Sequence, residues 1–257
     1  MQRFEGLNRA MLEQYAPNPG ERELVPTLSE KAKVALMCRM LFKEGWNEHI
    51  AGHITYRLPD GNILTNPWEL AWDELTASDI VTVSPQGEII DSKWNITPAI
   101  GLHLQLHELR PDIHVVIHNH AHWSGIWANL QQIPPVYDQA GGYCGKHLPI
   151  YNEYAGTFED EKTSLSAAKA LGDAKWALLA NHGSLVVGEN LRQAHLRAIT
   201  LEWRSKRAYE VLVSGQDATP LPDAVIEGLT VSDLNGFPFC WEAMARRELR
   251  ADPTILN

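Results

Sequence analysis

Two tight-turn signals constrain this chain more than any other feature. Pro59-Asp60-Gly61-Asn62 separates His53-Ile54-Thr55-Tyr56-Arg57 from Ile63-Leu64-Thr65, and Pro85-Gln86-Gly87 separates Ile80-Val81-Thr82-Val83 from Glu88-Ile89-Ile90. The flanking runs are short and rich in β-branched residues, and the breaks carry the Pro, Asp, Asn and Gly that turns require. Strands joined by so few residues can only pair antiparallel. Residues 115–120, 176–179 and 184–187 read as further short strands.

Helical patterns stand between these strands. Thr27 and Glu30 form a capping-box pair that opens a helix running to about Lys43, with Ala32, Ala35, Leu36, Met40 and Leu41 at helical spacing and Gly45 as its stop. Thr97 caps a second helix, with Pro98 at its first position and Arg110-Pro111-Asp112 at its end. Trp123 and Trp127 mark a brief helix and residues 164–171 another, and Asn190 caps a long one reaching about Val213. Residues 133–157 read as an ordered loop rich in Gly, Pro and Tyr, and the last 40 or so residues as irregular. The pattern predicts one domain, α+β or α/β/α, with a central, largely antiparallel sheet. The expected division is a lead-in over 1–26, the domain over 27–213 and a C-terminal extension over 214–257 packed on it.

Composition excludes several functions. The 22 basic and 32 acidic residues give a net charge of −10, and no Lys/Arg cluster builds a basic face. Nucleic acid and an anionic membrane surface are therefore not expected partners. No apolar run approaches the roughly 20 residues of a membrane span, and the polar N-terminal stretch lacks the apolar core of a signal peptide, so the expected location is the cytoplasm. Cys38, Cys144 and Cys240 lie far apart without CxxC spacing and read as reduced thiols.

The 11 histidines, in contrast, are clustered. His118 and His120 stand at i and i+2 on a predicted strand, so both rings project from one face, with Cα atoms roughly 6–7 Å apart. Two imidazoles at that spacing can share one divalent ion. His182, followed by Gly183, sits between two apolar runs at a strand end. Three protein ligands would leave coordination positions open for water and substrate. The alternative is that His118 and His120 are core residues bonded to backbone and His182 a turn residue. His122 extends the run to His-Asn-His-Ala-His and reads as a spare ligand or an acid/base. His103, His107 and His114 read as packed or solvated.

Taken together, several segments resemble the class II aldolase/adducin superfamily. Leu109-Arg110-Pro111-Asp112 with Val115 through His120, Leu178 through Gly183 with Val187-Gly188, and Gly52 through Arg57 are similar to its metal-binding and early-strand segments. Asn66-Pro67, Asp73 through Ser78 and Thr97-Pro98-Ala99 resemble the adducin-like branch more than the sugar-phosphate aldolases. The resemblance implies an α/β fold, a single three-layer α/β/α domain. It implies His118, His120 and His182 as ligands of one divalent metal per subunit, with Zn²⁺ first and Mn²⁺ or Fe²⁺ as alternatives. It also implies a homotetramer with active sites at subunit interfaces.

One departure from the family shapes the expected chemistry. Sugar-phosphate aldolases of this family carry a catalytic Glu four residues before the His of the Leu-His pair of the following helix, here Leu102-His103, and the equivalent residue is Ala99. Proline in the Asn66-Pro67-Trp68 and Thr97-Pro98-Ala99 loops removes backbone donors from a phosphate cradle. The expected reaction is metal-dependent C–C cleavage, aldol cleavage or decarboxylation, of a small non-phosphorylated and sometimes aromatic oxo- or hydroxy-acid. Asp138, Tyr137 and His122 are the candidate acid/base residues, with Tyr151 and Tyr154 behind them. Arg57 is the candidate partner for a substrate carboxylate, and Asn66, Trp68 and Thr97 are candidate substrate contacts. Two alternatives stand beside the lyase. One is a mononuclear iron oxygenase, because the Asn-Pro motif and missing Glu resemble bacterial oxygenases that shorten prenylated aromatic acids. The other is an adducin-like binding module.

Overall fold

Gly61 closes the first turn at φ 90°, with its N–H donating to the Leu58 carbonyl at 3.0 Å. The hairpin it makes is the middle of an eight-stranded sheet in a computed structural model that describes residues 24–143, 145–153, 156–230 and 239–257. The strands are β1 (His53–Arg57), β2 (Ile63–Thr65), β3 (Val81–Val83), β4 (Ile89–Asp91), β5 (Val115–Asn119), β6 (Ile150–Tyr151), β7 (Trp176–Leu179) and β8 (Gly183–Gly188). Their order across the sheet is β4-β3-β2-β1-β5-β8-β7-β6, antiparallel at every step except β6 against β7. The helices are α1 (Glu30–Lys43), α2 (Ile100–Leu109), α3 (His122–Leu130), α4 (Gln139–Gly142), α5 (Glu161–Leu171), α6 (Leu191–Ser214), α7 (Asp223–Thr230) and α8 (Cys240–Ala251).

Strand alternation splits the interior into two cores. Ile54, Val115, Ile117, Trp176, Leu178 and Val186 face one side, where they pack with Leu36 and Met40 of α1, Leu196 and Ile199 of α6, and Trp241 and Ala245 of α8. Val116, Ala177, Leu179, Leu185 and Val187 face the other, against Leu102 and Leu106 of α2 and Ala167, Ala168 and Leu171 of α5. Helices on both faces of one sheet make the three-layer α/β/α arrangement.

Several sequence expectations are corrected. Ser29, not Thr27, caps α1, its hydroxyl accepting from the Ala32 N–H at 3.1 Å. Ala99 is the cap residue of α2, and Thr97 instead accepts from the Ala99 N–H at 3.2 Å, because Pro98 leaves no donor between them. The 133–157 stretch contains α4 and β6. Among the described residues, the C-terminal region holds two helices where the sequence reads as irregular. Pro222 precedes α7, where a missing N–H costs nothing, and Trp241, Ala245 and Glu248 give α8 a buried face at i, i+4 and i+7. The lead-in up to residue 23, Cys144 and Tyr154 lie outside the described residues.

The longest helix organises the loops around it. Arg197 of α6 donates to the Val187 carbonyl at 2.8 Å, and Arg204 donates to the Pro134 carbonyl at 2.8 Å and the Gly145 carbonyl at 3.0 Å. Glu202 is buried and accepts the Trp123 N–H at 3.0 Å and the Ser124 N–H at 2.7 Å, so a carboxylate from α6 caps the N-terminus of α3. Burial raises its pKa against the pull of these bonds. Glu202→Ala would leave both N–H groups without their acceptor, and the expected cost is about 1–3 kcal/mol. A lower denaturant midpoint at unchanged slope is the measurement that checks it.

Candidate metal centre

The second core is where the histidines gather. On β5 the even-numbered side chains face α2 and α5, so His118 follows Val116 to that side and is buried at 2% exposure. β5 pairs with β1 so that His118 lies directly opposite His53. His120 emerges just past the strand end and is partly exposed. His182 arrives from the three-residue turn between β7 and β8, in which Asn181 takes a left-handed φ of 56°. Gly183 lets this turn close on β5. A Cβ there would lie 2.6 Å from the Asn119 carbonyl oxygen and 2.9 Å from the His120 ring.

Ring centroids separate His118 from His120 by 5.2 Å, His118 from His182 by 4.9 Å and His120 from His182 by 4.8 Å. One nitrogen from each ring lies within 4.8 Å of the other two. Phe158 stacks on His182 at 5.1 Å and meets His118 edge-on at 6.3 Å, walling the cluster on its apolar side.

The donor chemistry fits a divalent cation. His118 Nδ1 stands 3.0 Å from the Ser184 carbonyl oxygen, an atom that only accepts, so Nδ1 carries the proton and Nε2 the lone pair. His120 Nδ1 stands 2.6 Å from Oε2 of Glu48, an atom that only accepts, so Nδ1 is the donor of that pair. Burial, reinforced by neighbouring histidines, holds the pKa of His118 well below its ordinary value and lowers that of His182 to about 4. Imidazole nitrogens are ligands that zinc, manganese and iron accept. A divalent ion in this space would be held by one nitrogen from each ring.

A polar chain leads away from the cluster. His53, whose ring lies 5.0 Å from that of His118, has Nδ1 2.8 Å from His103 Nε2. His103 Nδ1 stands 2.9 Å from Thr55 Oγ1, and that hydroxyl stands 2.8 Å from His107 Nε2. All four are buried. Sequence reasoning read His103 and His107 as packed or solvated and did not single out His53, Thr55, Glu48 or Phe158. Two signals pointed at the chain: His53 and Thr55 share a strand face, and His103 and His107 are four apart on one helix.

Other expected contacts serve the fold instead. Arg57 is corrected as a carboxylate partner. Its Nη1 donates to the His107 carbonyl, and its Nη2 to the Pro111 and Ile113 carbonyls, each at 2.7 Å, which ties down the α2–β5 turn. Asn66 accepts the Ile54 N–H at 2.8 Å and donates to the Gly52 and Pro67 carbonyls, so its amide braces loops rather than facing a ligand. Thr97 is buried with its hydroxyl on the Ala99 N–H. Asp138 caps α4 through the Gly141 N–H and pairs with Arg207 at 3.0 Å. Tyr137 packs on the first core, and His122 is exposed, edge-on to Trp123. Trp68 is 47% exposed and open to solvent.

Residues 32–209 match the family described as Class II Aldolase and Adducin N-terminal domain. An L-fuculose phosphate aldolase of Haemophilus influenzae is 29% identical over 168 residues, covering 63% of this chain and 74% of that protein. A 3,4-dihydroxyphthalate decarboxylase of Arthrobacter keyseri is 28% identical over 218 residues, covering 79% and 86%. Among solved structures, an aldolase II superfamily protein from Pseudomonas syringae superposes with a TM-score of 0.78 at 25% identity, covering 88% of this chain and 94% of that one.

Burial also fixes the acid behaviour of the metal-free protein. His53, His103 and His118 titrate well below the ordinary value when folded, mainly through desolvation, and burial lowers His107 and His195 to about 3. In the unfolded chain each titrates near pH 6.5. Below that pH the unfolded state binds protons that the folded state refuses, so stability is full above about 6.5 and falls as the pH drops toward the folded values. With a chelator present, the urea midpoint is expected to be level from pH 8 to 7. It should decline from about pH 6.5 to 5, above the carboxylate range.

Proposed function

The chain belongs to the class II aldolase and adducin family, and on that premise we propose that it is a metal-dependent lyase. It cleaves a C–C bond of a small, non-phosphorylated oxo- or hydroxy-acid, with decarboxylation favoured over aldol cleavage and aromatic acids within its range. His118, His120 and His182 would hold the ion, Zn²⁺ first and Mn²⁺ or Fe²⁺ as alternatives. The observation that carries this reading is the convergence of three imidazoles, two with Nδ1 committed to protein acceptors, in a niche walled by Phe158. A divalent ion there supplies a positive charge that stabilises developing negative charge on substrate oxygen.

The chain's own residues narrow the reaction. Ala99 stands at the cap of α2, the position at which the resemblance to the sugar-phosphate aldolases implies a catalytic Glu, and its methyl packs against the second core. No acid or base acts from that position. Decarboxylation suffers less from this loss than proton abstraction does, because loss of CO₂ itself generates the carbanion. The Asn66 and Thr97 polar groups are turned into their own loops, which supports a substrate without phosphate. His53 is a buried polar side chain whose ring stands 5.0 Å from that of His118. Trp68 offers an exposed indole for an aromatic ring. The named decarboxylase relative acts, by its name, on an aromatic dicarboxylate bearing hydroxyl groups, and it aligns with 79% of this chain.

We read residues 27–213 as the catalytic domain, with 214–257 packed on it, in a cytoplasmic homotetramer. Among the described residues no helix is long and apolar enough to cross a membrane.

Metal analysis of the purified chain is expected to find one Zn or Mn per subunit, with CO₂ released from a panel of hydroxylated aromatic and oxo-acids. His120→Ala is expected to lose most of the metal while its circular dichroism stays that of the parent. Unchanged metal content in that variant would overturn the ligand assignment. One Fe per subunit with O₂ uptake would replace the lyase by an oxygenase.

A further inference from the structure

The loop between α1 and β1 is built with unusual care for a surface connection. Gly45, at φ 103°, ends α1 with paired bonds, from the Gly45 N–H to the Phe42 carbonyl and from the Trp46 N–H to the Leu41 carbonyl at 3.0 Å. Trp46 is thereby set into the first core at 0% exposure. His49, a non-glycine residue, is held at φ 50°, and Gly52 turns the chain into β1 at φ 98°. A left-handed His costs of order 1 kcal/mol, and such a residue persists only where its surroundings over-determine it.

Asn119 supplies that constraint. It is the residue between His118 and His120, and alternation sends its side chain to the opposite face of β5. There its Nδ2 donates to the Ala51 carbonyl at 3.2 Å and the Trp46 carbonyl at 3.5 Å, gripping the loop at both ends. A Cβ on Gly52 would stand 2.3 Å from that Nδ2, so the grip needs glycine there. What the clamped loop presents is Glu48, whose Oε2 lies 2.6 Å from His120 Nδ1.

The two rings of the pair are therefore oriented by different means. His118 is fixed by a backbone carbonyl of the neighbouring strand, which no substitution removes. His120 lies past the strand end, and the bond on its Nδ1 comes from one side chain that is itself 46% exposed. An ordinary ion pair at that exposure adds little to folding, so a strained, clamped loop would be poorly explained by stability alone.

We propose that Glu48 is a positioning residue for the metal site. Its carboxylate accepts the Nδ1 proton of His120, fixes that tautomer and turns Nε2 toward the space shared with His118 and His182. This rests on the reading of the three histidines as ligands. Carboxylates behind metal-bound histidines act in this way elsewhere, and their loss typically weakens metal binding about 10–100-fold.

The test is a Zn²⁺ titration of the full chain against a chromophoric chelator at fixed pH and salt, with thermal midpoints recorded alongside. Glu48→Ala is expected to bind Zn²⁺ about 10–100-fold more weakly at an unchanged midpoint. Glu48→Gln, which keeps an accepting oxygen, is expected to recover part of the loss. Glu88→Gln, which removes an exposed charge elsewhere, should stay within about twofold of the parent. In the metal-free protein, ¹⁵N resonances of His120 are expected to show Nδ1–H in the parent and a tautomer mixture in Glu48→Ala. Equal affinity of the parent and Glu48→Ala would overturn the positioning role alone, as would an equal loss in Glu88→Gln. A parent chain that takes up no Zn²⁺, Mn²⁺ or Fe²⁺ would overturn the metal reading and this inference with it.

Discussion

The register of β5 between β1 and β8 is the constraint from which the site follows. Paired residues in an antiparallel ladder share a face, and β5 is buried on both. His53 opposite His118 and Thr55 opposite Val116 therefore point to the same side, while Ile54, Ile117 and Asn119 point to the other. A slip of one residue would send His118 into the core that holds Trp46 and Met40, and Asn119 into the second core. The aliphatic residues of both cores resist that slip. The chemistry of the site is thus fixed by side chains that never meet a ligand.

The same burial decides the charge state of the cluster. His53, His103, His118 and His107 lie among apolar neighbours, and bringing several imidazolium charges together there would be costly. They remain neutral: His53, His103 and His107 are linked through ring nitrogens and the Thr55 hydroxyl, and His118 bonds the Ser184 carbonyl. Neutrality costs acid tolerance, yet it is what a ligand set for a cation needs, since protons and metal compete for the same lone pairs.

Much of this was legible in the sequence. The turn at Asp60-Gly61, the sheet class and the convergence of His118, His120 and His182 followed from alternation, turn chemistry and a combination of motifs more specific than any one of them. The rest depended on long-range contacts that periodicity does not encode. Arg57 looked like an anion partner because its cationic side chain projects from a strand end. Only the fold shows three backbone carbonyls of the α2–β5 turn converging on it. Glu48 gave no local signal, since its partner is 72 positions away (120 − 48) and meets it through a loop whose shape depends on Asn119. The helices of the C-terminal region were obscured by their flanking prolines, whose positions at helix boundaries are as compatible with helix as with coil.

α6 reaches the Val187, Pro134 and Gly145 carbonyls and the start of α3 through three side chains, Arg197, Glu202 and Arg204, so a single rod holds strand, loop and helix in mutual alignment. None of its residues is among the three candidate ligands. Damage to this rod would nevertheless mimic damage to the chemistry, because the scaffolding that surrounds the histidines is suspended from it. Inherited or engineered losses of activity in such a protein need not map to the pocket, and the search for their cause properly begins along this one helix.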